Sequence, residues 1–194
     1  VDRRQRQMCI RDRDLWNGSC VGGSSNFMSG YFNRLKPGDF RLKSKYGPIE
    51  GANIVDWPLT YSELEPFYAK VEKVVGISGK VMPHSQMEPR STADFPYPPL
   101  AENIAASWVD QAALKLDYES LHLARAILSR PEDSRNACYY SGYCGSHGCS
   151  SDAKGSSRAA LLNKALKTNH LKIIPNAKVF RLEEADGSVQ AAWY

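Results

Sequence analysis

The sequence predicts an α/β chain with an irregular insertion, truncated at both ends. Three observations predict it: a helical apolar pattern after residue 60, a proline-rich stretch at 80–100, and alternating strands near the C-terminus. The 194 residues have the length of one domain or parts of two. The last predicted strand runs to Tyr194 without polar tapering, which is typical of an unfinished sheet.

The clearest helix is predicted after Asp56-Trp57-Pro58 and begins with a capping signal. Thr60 or Ser62 is the candidate N-cap, and Glu63 has the capping-box spacing from Thr60. Glycine at 76 and 79 predicts the end of this helix. Apolar residues recur at three- and four-residue steps and predict one apolar face, made of Leu64, Phe67, Tyr68, Val71, Val74 and Val75.

The other elements are less regular. They are predicted in this order: a helix over 102–116 with Ile104, Trp108, Ala112 and Leu116 spaced by four, an extended segment within 118–130, a helix over 156–168, and strands at 171–174, 178–184 and 189–194. Asp186-Gly187 is a strong hairpin signal between the last two strands. The proline-rich loop at 80–100 is long for a compact domain, which favours a functional loop or a surface wrap.

The basic charge comes largely from the first 13 residues. They hold five arginines and two aspartates, a net charge of +3, against +4 for the whole chain. We interpret 1–13 as a non-native leader that resembles translated sequencing-adapter text, so native sequence would start near Asp14 and Cys9 carries no meaning. Nucleic-acid binding rests on these arginines alone and loses its support with them. The opening also lacks the apolar region of a secretory signal.

The segment from Cys138 to Ser157, here called the cysteine segment, contains the strongest chemical signal. Its three cysteines have the spacing C-x5-C-x4-C, with glycines between them. Thiolates are soft ligands for zinc or iron, and glycines let the backbone turn tightly enough to aim several sulfurs at one ion. The pattern predicts a metal site on Cys138, Cys144 and Cys149; a glycine-rich loop with buried cysteines is the alternative.

Four blocks of sequence occur in an order that resembles one enzyme family. The blocks are Val21-Gly22-Gly23-Ser24-Ser25 through Gly30 with Arg34, Pro37 and Asp39-Phe40; Asp56 to Tyr61 with Leu64 to Tyr68; the cysteine segment; and Pro175 to Val179. Together they resemble the glucose–methanol–choline flavoprotein oxidoreductases, especially the bacterial sugar- and gluconate-dehydrogenase branch. The match spans residues 15–194. We call 21–30 the glycine–serine loop.

The resemblance implies a partial FAD/NAD(P)-binding fold of this family. It divides the chain into an FAD-domain segment at 14–60, an insertion at the edge of a substrate domain at 61–135, and a returning FAD-domain segment at 136–194. It implies FAD as the cofactor, contacted by Gly22, Gly23, Ser24, Ser25, Ser29, Gly30 and Val179. Small residues in the glycine–serine loop would let backbone amides approach a planar ring.

The implied activity is oxidation of the CH–OH group of a sugar, sugar acid or other alcohol, with electrons passed to a non-oxygen acceptor. The family's catalytic histidine would lie C-terminal to this chain, so no catalytic residue is assigned within it. The family's G-x-G-x-x-G turn is also missing, and we expect the chain alone neither to bind FAD tightly nor to turn over.

The implied partners are an alcohol or sugar substrate, a cytochrome and a small subunit, and no nucleic acid. Some relatives hold a 3Fe-4S cluster at positions matching Cys138, Cys144 and Cys149, although their final spacing is one residue shorter. A periplasmic or inner-membrane-associated location follows if the chain resembles gluconate dehydrogenase in this respect. The alternative function is a small zinc-binding interaction module that uses the same cysteines with His147.

Overall fold

A computed structural model describes residues 18–194, so the predicted leader at 1–13 lies outside the described residues. The chain forms two compact units, one ending at Asn163 and one spanning Lys164–Tyr194. The regular elements are α1 (Leu42–Tyr46), α2 (Tyr61–Val75), α3 (Ile104–Lys115), α4 (Asn163–Leu166), β1 (Arg181–Ala185) and β2 (Ser188–Trp193). Single turns of 3-10 helix lie at Gly23–Phe27 and Pro37–Arg41, and a π-helical turn at Arg158–Leu162 precedes α4.

Helix α2 begins and ends where the sequence predicts. The Glu63 backbone N–H donates to Thr60 Oγ1 at 3.4 Å, and the Glu63 carboxylate accepts from the Thr60 N–H at 2.7 Å, which completes the capping box on Thr60. Gly76 ends the helix in a left-handed conformation, φ 81°. A Cβ at this position would also come within 2.6 Å of Leu128 Cδ2, so glycine is required for both reasons.

The buried face of α2 differs from the apolar face that the sequence predicts. The buried residues are Tyr61, Glu65, Glu72 and Val75, which lie on one face at helical spacing. Phe67, assigned to the apolar face, is 62% exposed, and Val71 is also exposed. The prediction holds for Val75, which is buried, and was wrong for Phe67 and Val71. Two glutamates on this helix pair with buried arginines, and apolar spacing alone carries no information about such partners.

Arg34 is the centre of this buried charge network. Its guanidinium donates to both Glu72 oxygens, from Nε at 2.7 Å and from Nη2 at 2.9 Å, and Nη1 donates to Glu65 at 2.8 Å. Burial opposes the charge, but the hydrogen bonds to Glu72, Glu65 and Tyr61 outweigh it and raise the pKa of Arg34. Arg90 donates to the same Glu72 carboxylate, so two arginines face two glutamates.

The middle of the first unit is the extended segment 124–128, as predicted within 118–130. Ala126, Ile127 and Leu128 are buried and form part of the core. The Ala126 N–H donates to the Gly30 carbonyl at 2.6 Å, and the Leu128 N–H donates to the Ala153 carbonyl at 2.9 Å. The segment therefore joins the end of the glycine–serine loop to the end of the cysteine segment through isolated bridges rather than a continuous sheet.

Arg135 fills the core beside these bridges and is 2% exposed. It donates to the carbonyls of Val75 at 2.8 Å, Asp152 at 3.0 Å and Ala153 at 3.1 Å. Burial lowers the pKa of Arg135 from its ordinary value. The side chain fixes the C-terminal end of α2 against the cysteine segment by saturating carbonyls that have no sheet partner.

Helix α3 is present as predicted, but its apolar residues face outward. None of its residues is buried, and Trp108 is 64% exposed. The partly covered positions are Ala106, Ser107, Asp110 and Ala113. The helix begins at an Asn103 cap, whose side chain accepts from the Ala106 N–H at 2.9 Å.

The second unit contains the predicted hairpin. Strands β1 and β2 pair antiparallel around Asp186-Gly187, both with positive φ, as a tight primed turn requires. The strands are largely exposed rather than half-buried, which corrects the prediction for 178–184. The predicted strand at 171–174 was wrong, because among the described residues no segment pairs with it to form a ladder.

Helices and one two-stranded sheet are compatible with part of an α/β chain, as predicted. Within residues 18–194, no helix combines the length and apolar character that a membrane crossing needs.

Glu72→Gln should destabilise the chain by about 3–5 kcal/mol, because it leaves two buried arginines without their shared carboxylate. The exposed Glu50→Gln is the matched control and should change the free energy of unfolding by no more than about 0.5 kcal/mol. Urea unfolding of both variants measures the difference. Equal midpoints for the two variants would contradict the central role of the network.

Acid should weaken the fold through Glu65. Its pKa is lowered from 4.5 to about 2, first by the Ser91 backbone N–H at 3.0 Å and then by Arg34. Because the folded pKa lies below the unfolded one, this contribution is complete above pH 4.5 and is lost as the pH falls towards 2.

Unfolding free energy measured between pH 6 and pH 2 should therefore fall less steeply in Glu65→Gln than in the wild type. Glu50→Gln should retain the wild-type slope. Parallel profiles for the wild type and Glu65→Gln would show that Glu65 does not carry the acid dependence.

Candidate functional site

The glycine–serine loop folds as a 3-10 turn that begins after Gly22. Gly22 and Gly23 both have left-handed backbone, with φ 93° and 58°. A Cβ on Gly22 would lie 2.9 Å from Arg158 Cβ, whereas the nearest atom to a Cβ on Gly23 is 3.9 Å away. Gly22 is thus required for packing, and Gly23 has free space at its α-carbon.

A hydroxyl pair joins this loop to the cysteine segment. Ser25 Oγ and Ser157 Oγ lie 3.1 Å apart, and the Ser157 N–H donates to Ser25 Oγ at 3.0 Å. Each hydroxyl also lies within donating distance of the Gly22 carbonyl, Ser25 Oγ at 2.6 Å and Ser157 Oγ at 2.8 Å, so one can donate to that carbonyl while the other donates to its neighbour. The first and third sequence blocks, separated by more than 100 residues, therefore meet in one hydrogen-bonded junction.

The same two segments touch again further along. The Ser146 N–H donates to the Phe27 carbonyl at 3.1 Å. Arg125 donates to the Ser29 carbonyl at 2.7 Å, which ties the end of the loop to the central extended segment. The loop is consequently held at both ends and in its middle.

These contacts divide the predicted cofactor residues into two groups. Ser25 is occupied with Gly22 and Ser157, and Gly30 packs so closely on Ile127 that an added Cβ would lie 2.8 Å from it. Ser24 Oγ accepts from the Gly18 N–H at 2.8 Å but is exposed, and Ser29 is exposed as well.

Gly23, Ser24 and Ser29 are therefore the approachable loop residues, while Gly22, Ser25 and Gly30 shape the loop. Val179 lies in the second unit and is 52% exposed. Its predicted contact with adenine stays a prediction, as do the contacts predicted for the loop.

The structure brings the three clustered cysteines to one place. Cys138, Cys144 and Cys149 pack on the core formed by Tyr97, Ile127, Leu128 and Ala153. All three line one cavity of about 40 Å³. Cys20, as predicted, lies apart on the glycine–serine side, exposed and close to Gly23.

Two of the sulfurs receive backbone hydrogen bonds. The Tyr140 N–H donates to Cys138 Sγ at 3.3 Å, and the Lys154 N–H donates to Cys149 Sγ at 3.5 Å. Burial opposes ionisation of Cys149, but hydrogen bonds from Ser151, Lys154 and Ala153 outweigh it and lower the pKa of the thiol. This environment favours thiolate character, which metal ligation requires.

The sulfurs are not arranged around a single small ion. Among the described residues, the three-membered set whose ligand atoms all lie within 4.8 Å of one another is Glu102, Asp110 and His122, not the cysteines. His147 is exposed, and its ring packs edge-on against Tyr143 at 5.5 Å. This geometry does not favour the zinc alternative, which needs four ligands on one tetrahedral ion.

Lys154 is a residue that the sequence interpretation missed. It is 3% exposed, and its Nζ donates to the carbonyls of Cys144 at 2.7 Å and His147 at 2.9 Å. The lysine therefore fixes the loop between the second and third cysteines from inside. Its position in the third block, among small residues, was the available signal, but a single lysine usually indicates an exposed surface.

Known proteins that are similar in sequence to this chain agree with the resemblance carried by its four blocks. No protein-family model matches the chain. The chain is 27% identical over 188 residues to gluconate 2-dehydrogenase flavoprotein from Pantoea cypripedii, covering 85% of this chain and 31% of that protein. It is 29% identical over 168 residues to the fructose dehydrogenase large subunit from Gluconobacter japonicus, covering 84% of this chain and 28% of that protein.

A third relative, 2-methyl-1,2-propanediol dehydrogenase from Mycolicibacterium austroafricanum, is 35% identical over 117 residues, covering 60% of this chain and 20% of that protein. The resemblance to the glucose–methanol–choline flavoproteins is thus confirmed, at modest identity but over most of the chain. The chain spans about a fifth to a third of the length of the curated relatives it matches.

The junction between the two blocks can be measured by a double-mutant cycle on Ser25→Ala and Ser157→Ala. We expect a coupling free energy of about 0.5–1.5 kcal/mol, because the hydrogen bond between the two hydroxyls is lost when either one is removed. Ser85→Ala, at an exposed position, should show no coupling to Ser157→Ala. Additive effects of the Ser25 and Ser157 changes would contradict the junction.

Proposed function

We propose that this chain is part of an FAD-dependent oxidoreductase that oxidises the CH–OH group of a sugar, sugar acid or other alcohol and passes electrons to a non-oxygen acceptor. The observation that carries the proposal is the junction of the glycine–serine loop with the cysteine segment. Two blocks that each resemble a flavoprotein are joined through Ser25 and Ser157. Similarity to named dehydrogenases over most of the chain supports it.

The glycine–serine loop fits a flavin through its backbone. Gly23 combines left-handed backbone with free space at its α-carbon, so a planar ring can approach closely there. Ser24 and Ser29, which follow Gly23 in the same loop, are also exposed. When bound, FAD would accept the hydride that leaves the alcohol carbon. Ser25, Gly22 and Gly30 would keep the loop in shape.

The cysteine segment is proposed as the electron exit, holding a 3Fe-4S cluster on Cys138, Cys144 and Cys149. The support is chemical: three partly buried thiols line one cavity, and backbone N–H groups donate to two of the sulfurs. Such hydrogen bonds stabilise thiolates at iron–sulfur centres. Lys154 would hold the intervening loop in place from its buried position.

The partners and the location of the parent protein are also proposed from its similarity to known dehydrogenases. The relatives' names include a flavoprotein and a large subunit, which supports our proposal that the parent protein works with a further, small subunit. We propose a cytochrome as the electron acceptor on the family resemblance alone. A periplasmic or inner-membrane-associated location belongs to this proposal. The alcohol itself is proposed only as a class, because the named relatives act on gluconate, fructose and 2-methyl-1,2-propanediol.

The whole reading frame that contains this chain should yield a yellow protein that reduces a dye acceptor with gluconate, fructose or a related alcohol. Gly23→Val should lower its FAD content, because the side chain would occupy the approach to the loop in a strained conformation. Gly51→Val is the matched control, because Gly51 also has left-handed backbone, φ 77°, but has open space around it and lies outside both blocks. A colourless product, or hydrogen peroxide formed at the rate of alcohol oxidation, would overturn the proposal.

Anaerobic reconstitution of the chain with iron and sulfide should produce a visible absorption band. Cys144→Ser should abolish most of this band, because the proposed cluster would lose one of three ligands. Cys20→Ser is the control, since Cys20 lies outside the cavity, and it should leave the band intact. A band that survives Cys144→Ser would remove Cys144 from the ligand set.

A further inference from the structure

A second cluster of metal-ligating side chains lies away from the cysteines, around α3. Glu102 precedes the helix, Asp110 lies on its partly covered face, and His122 follows it on the segment leading to the core. The side chains are 41%, 30% and 45% exposed. Three separate stretches of chain therefore converge on one point at the surface.

The distances within this cluster suit one ion. His122 Nε2 lies 3.0 Å from Asp110 Oδ2 and 3.9 Å from Glu102 Oε1, and all three ligand atoms lie within 4.8 Å of one another. Ligands bound at about 2.0–2.2 Å to one zinc-sized ion are separated from each other by roughly 3–3.5 Å. The donors therefore need to move by only about an ångström or less to share an ion.

The two carboxylates of the cluster lie close to each other and share His122 as a partner. Among the ion pairs of residues 18–194, Glu102 and Asp110 contact His122 and no lysine or arginine. Two carboxylates at this separation repel each other, and a bound cation relieves that repulsion.

A groove of about 470 Å³ borders the cluster and shares Asp110 with it. Its lining includes Asp117 and Glu119 as well, and it contains no lysine or arginine. An acidic, concave surface raises the local concentration of cations. The groove is an observation independent of the hydrogen bonds inside the cluster.

Helix α3 is weakly attached to the rest of the unit, and a bound ion would strengthen this attachment. The helix buries none of its own residues, and Asp110 is one of its few partly covered side chains. An ion held by Glu102, Asp110 and His122 would join the segment before the helix, the helix itself and the segment after it. Weakly packed elements gain most from such a link.

We propose that Glu102, Asp110 and His122 form a divalent-cation site of the Mn²⁺ and Zn²⁺ class that fastens α3 to the first unit. One imidazole and two carboxylates suit these borderline to hard ions. The proposal is independent of the flavin and of the cysteine segment, since none of their residues takes part.

Mn²⁺ is the probe of choice, because the thiols elsewhere in the chain prefer softer metals. Electron paramagnetic resonance of free Mn²⁺ measures its binding to the 194-residue chain. We expect one ion per chain and at least a tenfold loss of affinity in Glu102→Gln, Asp110→Asn and His122→Asn. Added Mn²⁺ should also slow amide hydrogen exchange in α3 of the wild type.

Two exposed side chains that belong neither to the cluster nor to the lining of the groove, His170 and Glu50, provide the controls. His170→Asn and Glu50→Gln should retain wild-type affinity for Mn²⁺. Glu102→Gln lies outside the helix, so it tests the site without altering α3 itself. Absence of Mn²⁺ binding in the wild type, or an equal loss in the control variants, would overturn the site.

Discussion

The pairing of Arg34 with Glu72 is the interaction on which the rest of the first unit depends. It is bidentate and buried, and it joins α2 to the segment that leaves the glycine–serine loop. Removing either partner would leave a charge without a counterion in the core, which is far more costly than losing an exposed ion pair. Glu65 and Arg90 extend the pair into a neutral set of four, so no net charge is buried. The loop is consequently attached to a fixed point only four residues after Gly30.

Buried cations also donate hydrogen bonds to backbone carbonyls that strand partners would satisfy in a sheet. The central segment 124–128 makes isolated bridges rather than a ladder, so many nearby carbonyls lack strand partners. Arg135 donates to three of them, and Lys154 donates to two in the cysteine segment. Buried polar groups must be hydrogen-bonded to avoid a large desolvation cost, and a long cation can reach several acceptors at once. Irregular backbone is therefore held in one conformation.

The candidate site lies between the parts of the chain that the ion-pair network and the carbonyl-binding cations hold in place. The central segment contacts Gly30 on one side and Ala153 on the other, so it sets the distance between the loop and the cysteine segment. Ser25 and Ser157 then close the junction with hydroxyls. Any cofactor bound at Gly23 and any cluster bound by the cysteines would share this support. A substitution that weakens the core network should therefore disturb both the glycine–serine loop and the cysteine segment, although neither contacts Arg34 directly.

The local features of this protein follow from short stretches of its sequence. The Thr60–Glu63 capping box, the Gly76 stop and the Asp186-Gly187 turn depend on a few neighbouring residues, and each is found as predicted. Blocks of sequence also indicated the flavoprotein resemblance. Tertiary structure alone decided which face of α2 is buried, that 171–174 forms no strand, and that Lys154 lies inside. A buried glutamate or lysine is stable only where the folded chain supplies its partners, and a strand exists only beside another strand, so short stretches of sequence do not predict either.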